Sequence, residues 1–339
     1  MSRTLTTGAR LTKSTTPRTL LLTFDAFETL FHPHPPVPDQ YAATAHQFGL
    51  SRTAITPTKL QAAFKDVYRA EAKRHPNYGR TEVLRGQYGG PKQWWEDVIR
   101  GSFARALSSE QHEQHTAGSE GTKLPPGLME ALLDRFAGAG GYVLYEDVAP
   151  FFARMRELRA SPNGVFDRVL VGVVSNSDDR VPTVLKALGL RVGDMRADQD
   201  LSSMALPGFE ERGGLGRSQE PQKNDGSGDQ GVDVDMVITS YEAGEEKPNR
   251  LIFDVARRQA RLLVKESAHT HGSAPVSVDE DGDWVCVHVG DDYKKDYCAA
   301  IDAGWQSYLL ARGESQGKSA KTISSLVELV DELGFNQFR

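Results

Sequence analysis

Short apolar runs recur along the chain and predict the strands of a parallel β-sheet. Residues 19–24 form the first run, which shows no helical period and stops at a carboxylate, Asp25. A run of this kind is typical of a strand that is buried on both faces. Helical patterns separate it from similar runs over residues 169–174, 236–239, 284–289 and 307–310. Strands that alternate with helices favour right-handed β-α-β units, so the pattern predicts an α/β fold.

The pattern becomes helical between the first strand and the rest of the predicted sheet. Over residues 38–141, apolar positions recur at spacings of three and four, as on one face of a helix. The sequence therefore predicts an all-helical domain over 38–141, inserted into a core domain made of residues 19–37 and 142–339. Proline-rich residues 32–38 predict a linker at the first boundary rather than a strand.

Three segments lack the apolar residues needed for a packed core. Residues 191–233 and 266–283 are rich in Gly, Ser and acidic residues, and we predict that both are disordered surface insertions. Residues 1–18 carry basic residues and no acidic ones, a composition shared by disordered tails and organellar transit segments.

Composition narrows the function classes. The 339 residues carry a net charge of −6, which argues against a nucleic-acid partner, because a phosphate backbone requires a concentrated basic surface. No apolar run approaches the roughly 20 residues of a membrane-spanning helix, so no membrane partner is expected. The two cysteines, Cys286 and Cys298, indicate a reducing compartment. We expect the cytoplasm, with the nucleus and mitochondrion as alternatives.

Polar residues follow four of the predicted strands, and parallel strands end at one edge of a sheet, where ligands bind. In chain order they are Asp25 with Thr29, then Ser175 with Asn176, then Lys247, and finally Gly290, Asp291, Asp292 and Asp296. Each group has a simpler explanation. An aspartate or serine can cap a turn or a helix, a lysine can be solvated, and acidic residues favour a helix N-terminus. It is their order over a β-α-β pattern that predicts a common site.

This order of residues resembles the motifs of haloacid dehalogenase-like hydrolases. Asn77-Tyr78-Gly79, Gln93-Trp94-Trp95 and Glu245-Glu246-Lys247-Pro248 are similar to segments of the eukaryotic branch named haloacid dehalogenase-like hydrolase domain-containing proteins. The resemblance implies a Rossmann-like parallel-sheet core with an inserted helical cap of the C1 type. The two tryptophans could line a pocket in that cap, although aromatics at helical spacing are more often part of a core.

The resemblance also implies roles for the strand-end residues. Asp25 would be a nucleophile that forms an aspartyl phosphate, and Lys247 would offset the negative charge beside it. Ser175 would donate hydrogen bonds to phosphoryl oxygens, and Thr29 and Asn176 complete the catalytic set. A Mg²⁺ cofactor would be held by oxygen ligands. These are Asp25, Asp291 and the backbone carbonyl of Phe27, with Asp292 and Asp296 behind them or as alternate ligands.

Position 27 departs from the family pattern. Phosphatases of this superfamily usually have a second Asp two residues after the nucleophile, as the general acid, where this chain has Phe27. Loss of a general acid lowers the rate by about 10²- to 10⁴-fold. Glu28 is a poor substitute if the strand continues, since neighbours on a strand point to opposite sides.

Three functions remain open. The first is a Mg²⁺-dependent phosphohydrolase for a small phosphorylated substrate with a good leaving group. The second is a catalytically weak or inactive member that binds or assembles with a protein partner. The third is a 2-haloacid dehalogenase, whose motif resembles residues 24–31. Those enzymes, however, work without metal and lack the pair that Gly290 and Asp291 form here.

Overall fold

A parallel β-sheet forms the centre of the computed structural model, which describes residues 18–108, 123–160, 165–197, 206–208, 231–270, 283–312 and 319–335. The described strands are β1 (Thr19–Phe24), β2 (Phe31–Pro33), β3 (Tyr142–Leu144), β4 (Arg168–Ser175), β5 (Val192–Met195), β6 (Val234–Thr239), β7 (Trp284–Gly290), β8 (Gln306–Leu310) and β9 (Thr322–Ile323). Seven of them form one parallel sheet in the order β5-β6-β4-β1-β7-β8-β9. The predicted α/β fold with a Rossmann-like sheet is confirmed.

Strand β1 pairs with β4 along one edge and with β7 along the other, and all six of its residues are buried. Leu20 and Leu22 face one hydrophobic cluster of the core, whereas Leu21 faces the cluster on the opposite side. Side chains on a strand alternate between its faces, so a strand covered on both sides is apolar at most of its positions, as β1 is at four of six. Strand β1, and with it Asp25, thus lies in the middle of the sheet.

Helices cover both faces of the sheet and form a separate layer. The described helices are α1 (Val37–Gln47), α2 (Pro57–Arg74), α3 (Pro76–Leu84), α4 (Pro91–Ser108), α5 (Leu128–Arg135), α6 (Val148–Ala160), α7 (Val181–Ala187), α8 (Ser240–Ala243), α9 (Leu251–Thr270), α10 (Ala299–Asp302) and α11 (Glu328–Glu332). Helix α2 shows how the sequence sets a start. Thr56 accepts a hydrogen bond from the Lys59 amide, and Pro57 stands in the first turn, where its missing N–H costs nothing.

Helices α1 to α5 pack around a hydrophobic cluster of their own, which includes Tyr41, Ile99, Phe103 and Leu132. We call these five helices the helical layer. Its position between β2 and β3 in the chain agrees with the insertion predicted for residues 38–141, whose domain boundaries remain a prediction.

The structure corrects several boundaries. Residues 31–33 form strand β2, paired antiparallel with β3, where the sequence predicted a linker. A proline is tolerated there because each strand of a two-stranded sheet has a free edge. Residues 192–195 form edge strand β5 inside the predicted insertion 191–233, and α9 continues to Thr270, beyond the start of the predicted insertion 266–283.

The remaining parts of these predicted segments lie outside the described residues, and so do residues 1–17 of the predicted tail. Among the helices that are described, none has the length and apolar character needed to cross a bilayer.

Candidate active site

Asp25 and Asp291 follow two neighbouring strands at the same edge of the sheet. Phe24 of β1 pairs with Val289 of β7, and the Asp25 amide donates to the Val289 carbonyl at 2.9 Å. This register brings the two carboxylates together with that of Asp296. One oxygen of each carboxylate lies within 4.8 Å of the other two. We call these three aspartates the acid cluster.

The Lys247 ammonium is buried against the acid cluster. Its Nζ lies 3.0 Å from Asp25 Oδ1 and 2.6 Å from Asp296 Oδ1, and it donates to the Val174 carbonyl at 2.9 Å. Burial alone would lower the pKa of Lys247, but the charges of Asp25 and Asp296 outweigh it and raise that pKa. The lysine is therefore charged at neutral pH, and one cation faces three carboxylates.

Asp296 is held from three sides. It lies in a π-helix, Tyr293–Cys298, which directly follows the end of β7. Its Oδ2 accepts from the Asp292 amide at 2.9 Å, and its Oδ1 receives Lys247 and the ring of His288 at 3.3 Å. Gly290 leaves room for it, since a Cβ there would overlap the Asp296 carboxylate. The glycine of the Gly290-Asp291 pair therefore has a steric cause.

The three carboxylates differ in their electrostatics. Burial raises the pKa of Asp25, although Lys247 opposes the rise. Burial and then the charges of Asp25 and Asp296 raise the pKa of Asp291 to about 6. For Asp296, burial acts in the same direction, but Lys247 and the His288 hydrogen bond outweigh it and hold the pKa well below its usual range. Asp25 and Asp291 are thus the members on which negative charge is costly.

The structure gives Thr29 and Asn176 clear partners. Thr29 Oγ1 donates to Asp291 Oδ1 at 2.9 Å. Asn176 is clamped to the backbone of Lys247: its Nδ2 donates to the Lys247 carbonyl at 2.8 Å, and its Oδ1 accepts from the Lys247 amide at 2.6 Å. Ser175 is buried at the end of β4, directly before Asn176. The clamp ties the lysine loop to β4.

Asp292 and Phe27 are engaged elsewhere through their side chains. Asp292 Oδ1 accepts from the amides of Lys294 and Lys295, so the carboxylate caps the π-helix and lies outside the acid cluster. The Phe27 ring packs edge-on against Phe31 and Tyr142, with centroid distances of 4.8 and 5.7 Å. Only the backbone of Phe27 is left to serve as a ligand.

Sequence reasoning missed His288. The ring is buried in β7, with Nδ1 2.9 Å from Thr23 Oγ1 and Nε2 facing Asp296. An ionised carboxylate only accepts hydrogen bonds, so Nε2 carries the proton and Nδ1 accepts from Thr23. Burial lowers the pKa of His288, which favours this neutral form. A histidine inside an otherwise apolar run was the available signal.

A second buried ion pair joins the helical layer to the loop after β4. Asp178 binds Arg180 at 2.8 Å, and Trp95 of α4 donates its Nε1 to Asp178 Oδ2 at 2.9 Å. The Arg180 guanidinium also lies over the Trp95 ring, 4.9 Å from its centroid. Beside this pair is an apolar cavity of about 50 Å³ lined by aromatic residues, including Tyr142. Trp95 thus lines a cavity and also forms part of the contact between the helical layer and the loop after β4.

The oxygen atoms of the acid cluster suit a hard cation such as Mg²⁺, which prefers oxygen ligands. Asp25 Oδ1 is buried, and in the described part of the chain its charged partner is Lys247 Nζ at 3.0 Å, which leaves a lone pair of the carboxylate oxygen for a further ligand. Such an atom can still accept a ligand. The three carboxylates of the acid cluster also outnumber the one positive charge of Lys247, which favours binding of a further cation. The residues therefore fit the Mg²⁺ that the sequence predicted.

The chain is similar to known proteins over most of its length. Residues 245–333 match a family model described as HAD-hydrolase-like. The human haloacid dehalogenase-like hydrolase domain-containing protein 3 is 26% identical over 290 residues, which cover 86% of this chain and 81% of that protein. The chain belongs to the haloacid dehalogenase-like hydrolase superfamily. Within this superfamily, an uncharacterized hydrolase of Schizosaccharomyces pombe is 27% identical over 290 residues, or 85% of this chain and 88% of that protein.

Among solved structures of the superfamily, a HAD phosphatase from Thermococcus onnurineus aligns with 94% of this chain and 98% of its own. The TM-score of that alignment is 0.43, and the sequence identity is 15%.

Proposed function

We propose that this chain is a Mg²⁺-dependent phosphohydrolase that acts on a small phosphorylated substrate with a good leaving group. The observation that carries the proposal is the acid cluster, with three carboxylate oxygens within 4.8 Å of one another beside the buried Lys247. Membership of a hydrolase superfamily supports it. Such a concentration of negative charge destabilises a protein unless a cation binds to it.

Asp25 is the proposed nucleophile. One of its oxygens attacks phosphorus, the bond to the leaving-group oxygen breaks with its electron pair, and an aspartyl phosphate forms. Lys247 keeps a positive charge 3.0 Å from Asp25 Oδ1, where it offsets the incoming phosphoryl oxygens. Ser175 and the neighbouring backbone are the proposed donors to those oxygens. Water then attacks the phosphorus and releases phosphate and free Asp25.

Asp25, Asp291 and the Phe27 carbonyl would hold the Mg²⁺. The ion would supply positive charge that offsets the negative charge of the phosphoryl oxygens. Thr29 orients Asp291 by its hydrogen bond of 2.9 Å. Asp296 lies behind the ligands, because Lys247, His288 and a backbone amide already occupy its oxygens.

The leaving group has to depart without a proton from position 27, because the Phe27 side chain is an aromatic ring packed against Phe31 and Tyr142. Acyl and aryl phosphates meet this requirement, since their leaving oxygens are stable as anions. We propose that the helical layer acts as a cap over the site and selects the substrate.

Because the Phe27 ring cannot donate a proton, it also favours a second candidate function. In that case the chain is a catalytically weak or inactive member of the superfamily that acts by binding a protein partner. A panel of acyl phosphates, aryl phosphates, sugar phosphates and 2-haloacids, each assayed with Mg²⁺ and with EDTA, separates the candidates. We expect phosphate release from the first two classes that EDTA and Asp25→Asn abolish. Halide release without metal would instead indicate a dehalogenase. Turnover of no compound would favour the binding protein.

A further inference from the structure

Arg312, which follows β8, binds the loop between β1 and β2. Its Nε and Nη2 donate to the Thr29 carbonyl at 3.2 and 2.6 Å. Thr29 itself is completely buried, so its carbonyl requires a partner within the protein. The Thr29 side chain meanwhile donates to Asp291. Thr29 is therefore held between an arginine at its backbone and an acid-cluster carboxylate at its hydroxyl.

The loop that contains Thr29 is a tight turn, closed by backbone hydrogen bonds such as that from the Glu28 amide to the Phe31 carbonyl at 2.8 Å. Glu28 adopts a left-handed conformation with φ of 57°, and the Leu30 amide donates back to the Ala26 carbonyl at 2.9 Å. Left-handed backbone is strained for a residue other than glycine and persists only where its surroundings enforce it. Arg312 helps to hold this conformation by binding the Thr29 carbonyl from the side of β8.

Arg312 is itself fixed in one orientation. Its Nη1 forms an ion pair with Asp147 at 2.8 Å, and Asp147 accepts from the Leu326 amide at 2.7 Å. The guanidinium also lies over the ring of Tyr145, 4.0 Å from its centroid. A planar guanidinium that is already held by these two contacts loses little further entropy when it binds Thr29, so it can act as a rigid support.

We propose that Arg312 is a positioning residue that sets the affinity of the acid cluster for a divalent cation. It acts through Thr29: the arginine fixes the Thr29 backbone, and the Thr29 hydroxyl then fixes the orientation of the Asp291 carboxylate. The inference rests on the proposed function, because it presupposes that the cluster binds Mg²⁺. Partners that orient metal ligands typically change metal affinity by about 10- to 100-fold when they are removed.

The test measures the Kd of the full chain for Mg²⁺ alone by isothermal titration calorimetry, together with the stability in EDTA. Arg312→Met should raise the Kd about tenfold. Arg159→Met is the matched control. Arg159 is similarly half-buried and also binds one carboxylate, Asp235, and one carbonyl, that of Val232, but near the amino end of β6. This control should lower stability in EDTA as much as Arg312→Met does and leave the Kd unchanged.

Arg312→Lys keeps the charge but cannot contact Thr29 and Asp147 with the same planar group, so its Kd should rise by about threefold. If Arg312→Met does not fold, this variant decides. A Kd within about twofold of wild type in a folded Arg312 variant would overturn the inference, as would an equal rise in Arg159→Met. If wild type itself shows no Mg²⁺ binding, the proposed function fails first and the inference falls with it.

Discussion

Replacing Asp291 by Asn should stabilise the metal-free protein at pH 7. In the folded chain, burial and two neighbouring acids raise the pKa of Asp291 to about 6, whereas an unfolded Asp titrates near 3.9. The folded state therefore binds the proton more tightly than the unfolded state does. Its free energy of unfolding falls as the pH rises through about 4 to 6, and the loss is complete above that window.

The expected gain in the free energy of unfolding follows from the difference between the folded and unfolded pKa values of Asp291. About two pKa units at 1.36 kcal/mol each give about 3 kcal/mol. Asp291 is only partly buried, so solvent screening reduces the expected gain to roughly 2 kcal/mol. Asparagine removes the charge but keeps an oxygen that can accept the hydrogen bond from Thr29, so the geometry of the site should survive.

Urea denaturation of wild type and Asp291→Asn in EDTA, at several pH values between 4 and 7.5, measures this gain. A series in Mg²⁺ should reverse the order of stability. A ligand at a hundred times its Kd stabilises the folded state by about 2.7 kcal/mol, and the variant should lose most of that.

Asp292→Asn is the control. Asp292 caps the π-helix outside the acid cluster, and asparagine caps helices about as well as aspartate does, so stability should scarcely change. The electrostatic reasoning would be refuted if Asp291→Asn were less stable than wild type at pH 7 in EDTA. It would also fail if the pH dependence between 4 and 6 were the same in both proteins.

Three further substitutions test other parts of the site. Phe27→Asp should speed hydrolysis of esters with poor leaving groups but not of acyl phosphates, at a cost of about 2 kcal/mol in denaturation experiments because an aromatic contact is lost; equal stimulation of both classes would contradict this. Lys247→Met should destabilise the chain by about 3 to 5 kcal/mol, since it leaves Asp296 buried without its cation; a loss below 1 kcal/mol in urea denaturation would contradict that account. His288→Phe removes the hydrogen bond to Asp296 and should lower the rate of phosphate release more than it changes KM, whereas an unchanged rate would assign the histidine to packing alone.

The sheet and the position of Asp25 were predictable because they depend on short-range patterns. A strand buried on both faces is mostly apolar, and four of the six residues of β1 are leucine or phenylalanine. The strand-end acids were predictable for the same reason, since parallel register fixes where their Cα atoms lie. Edge strands were harder to predict from the sequence. In β5 only Val192 is buried, so its composition resembles that of a surface segment.

The partners of each side chain could not be predicted from spacing. Asp292 and Asp296 follow the same strand, yet the π-helix turns one toward backbone amides and the other toward Lys247. Glu28 illustrates the same limit. Its side chain does not alternate with that of Phe27 as on a strand, because β1 ends at Phe24 and Glu28 lies in a left-handed turn.

The central place of β1 in the sheet also has a consequence for how the protein is made. Strand β1 is synthesised first, but one of its two partners is β7, and Thr23 contacts His288 across a separation of 265 residues. At about 5 to 20 residues per second, a ribosome needs roughly 15 to 50 s to add that length. Throughout this interval an apolar strand meant for complete burial has one edge without its native partner. The architecture that brings Asp25 to the middle of the sheet thus leaves one edge of β1 open in the nascent chain until β7 has been translated.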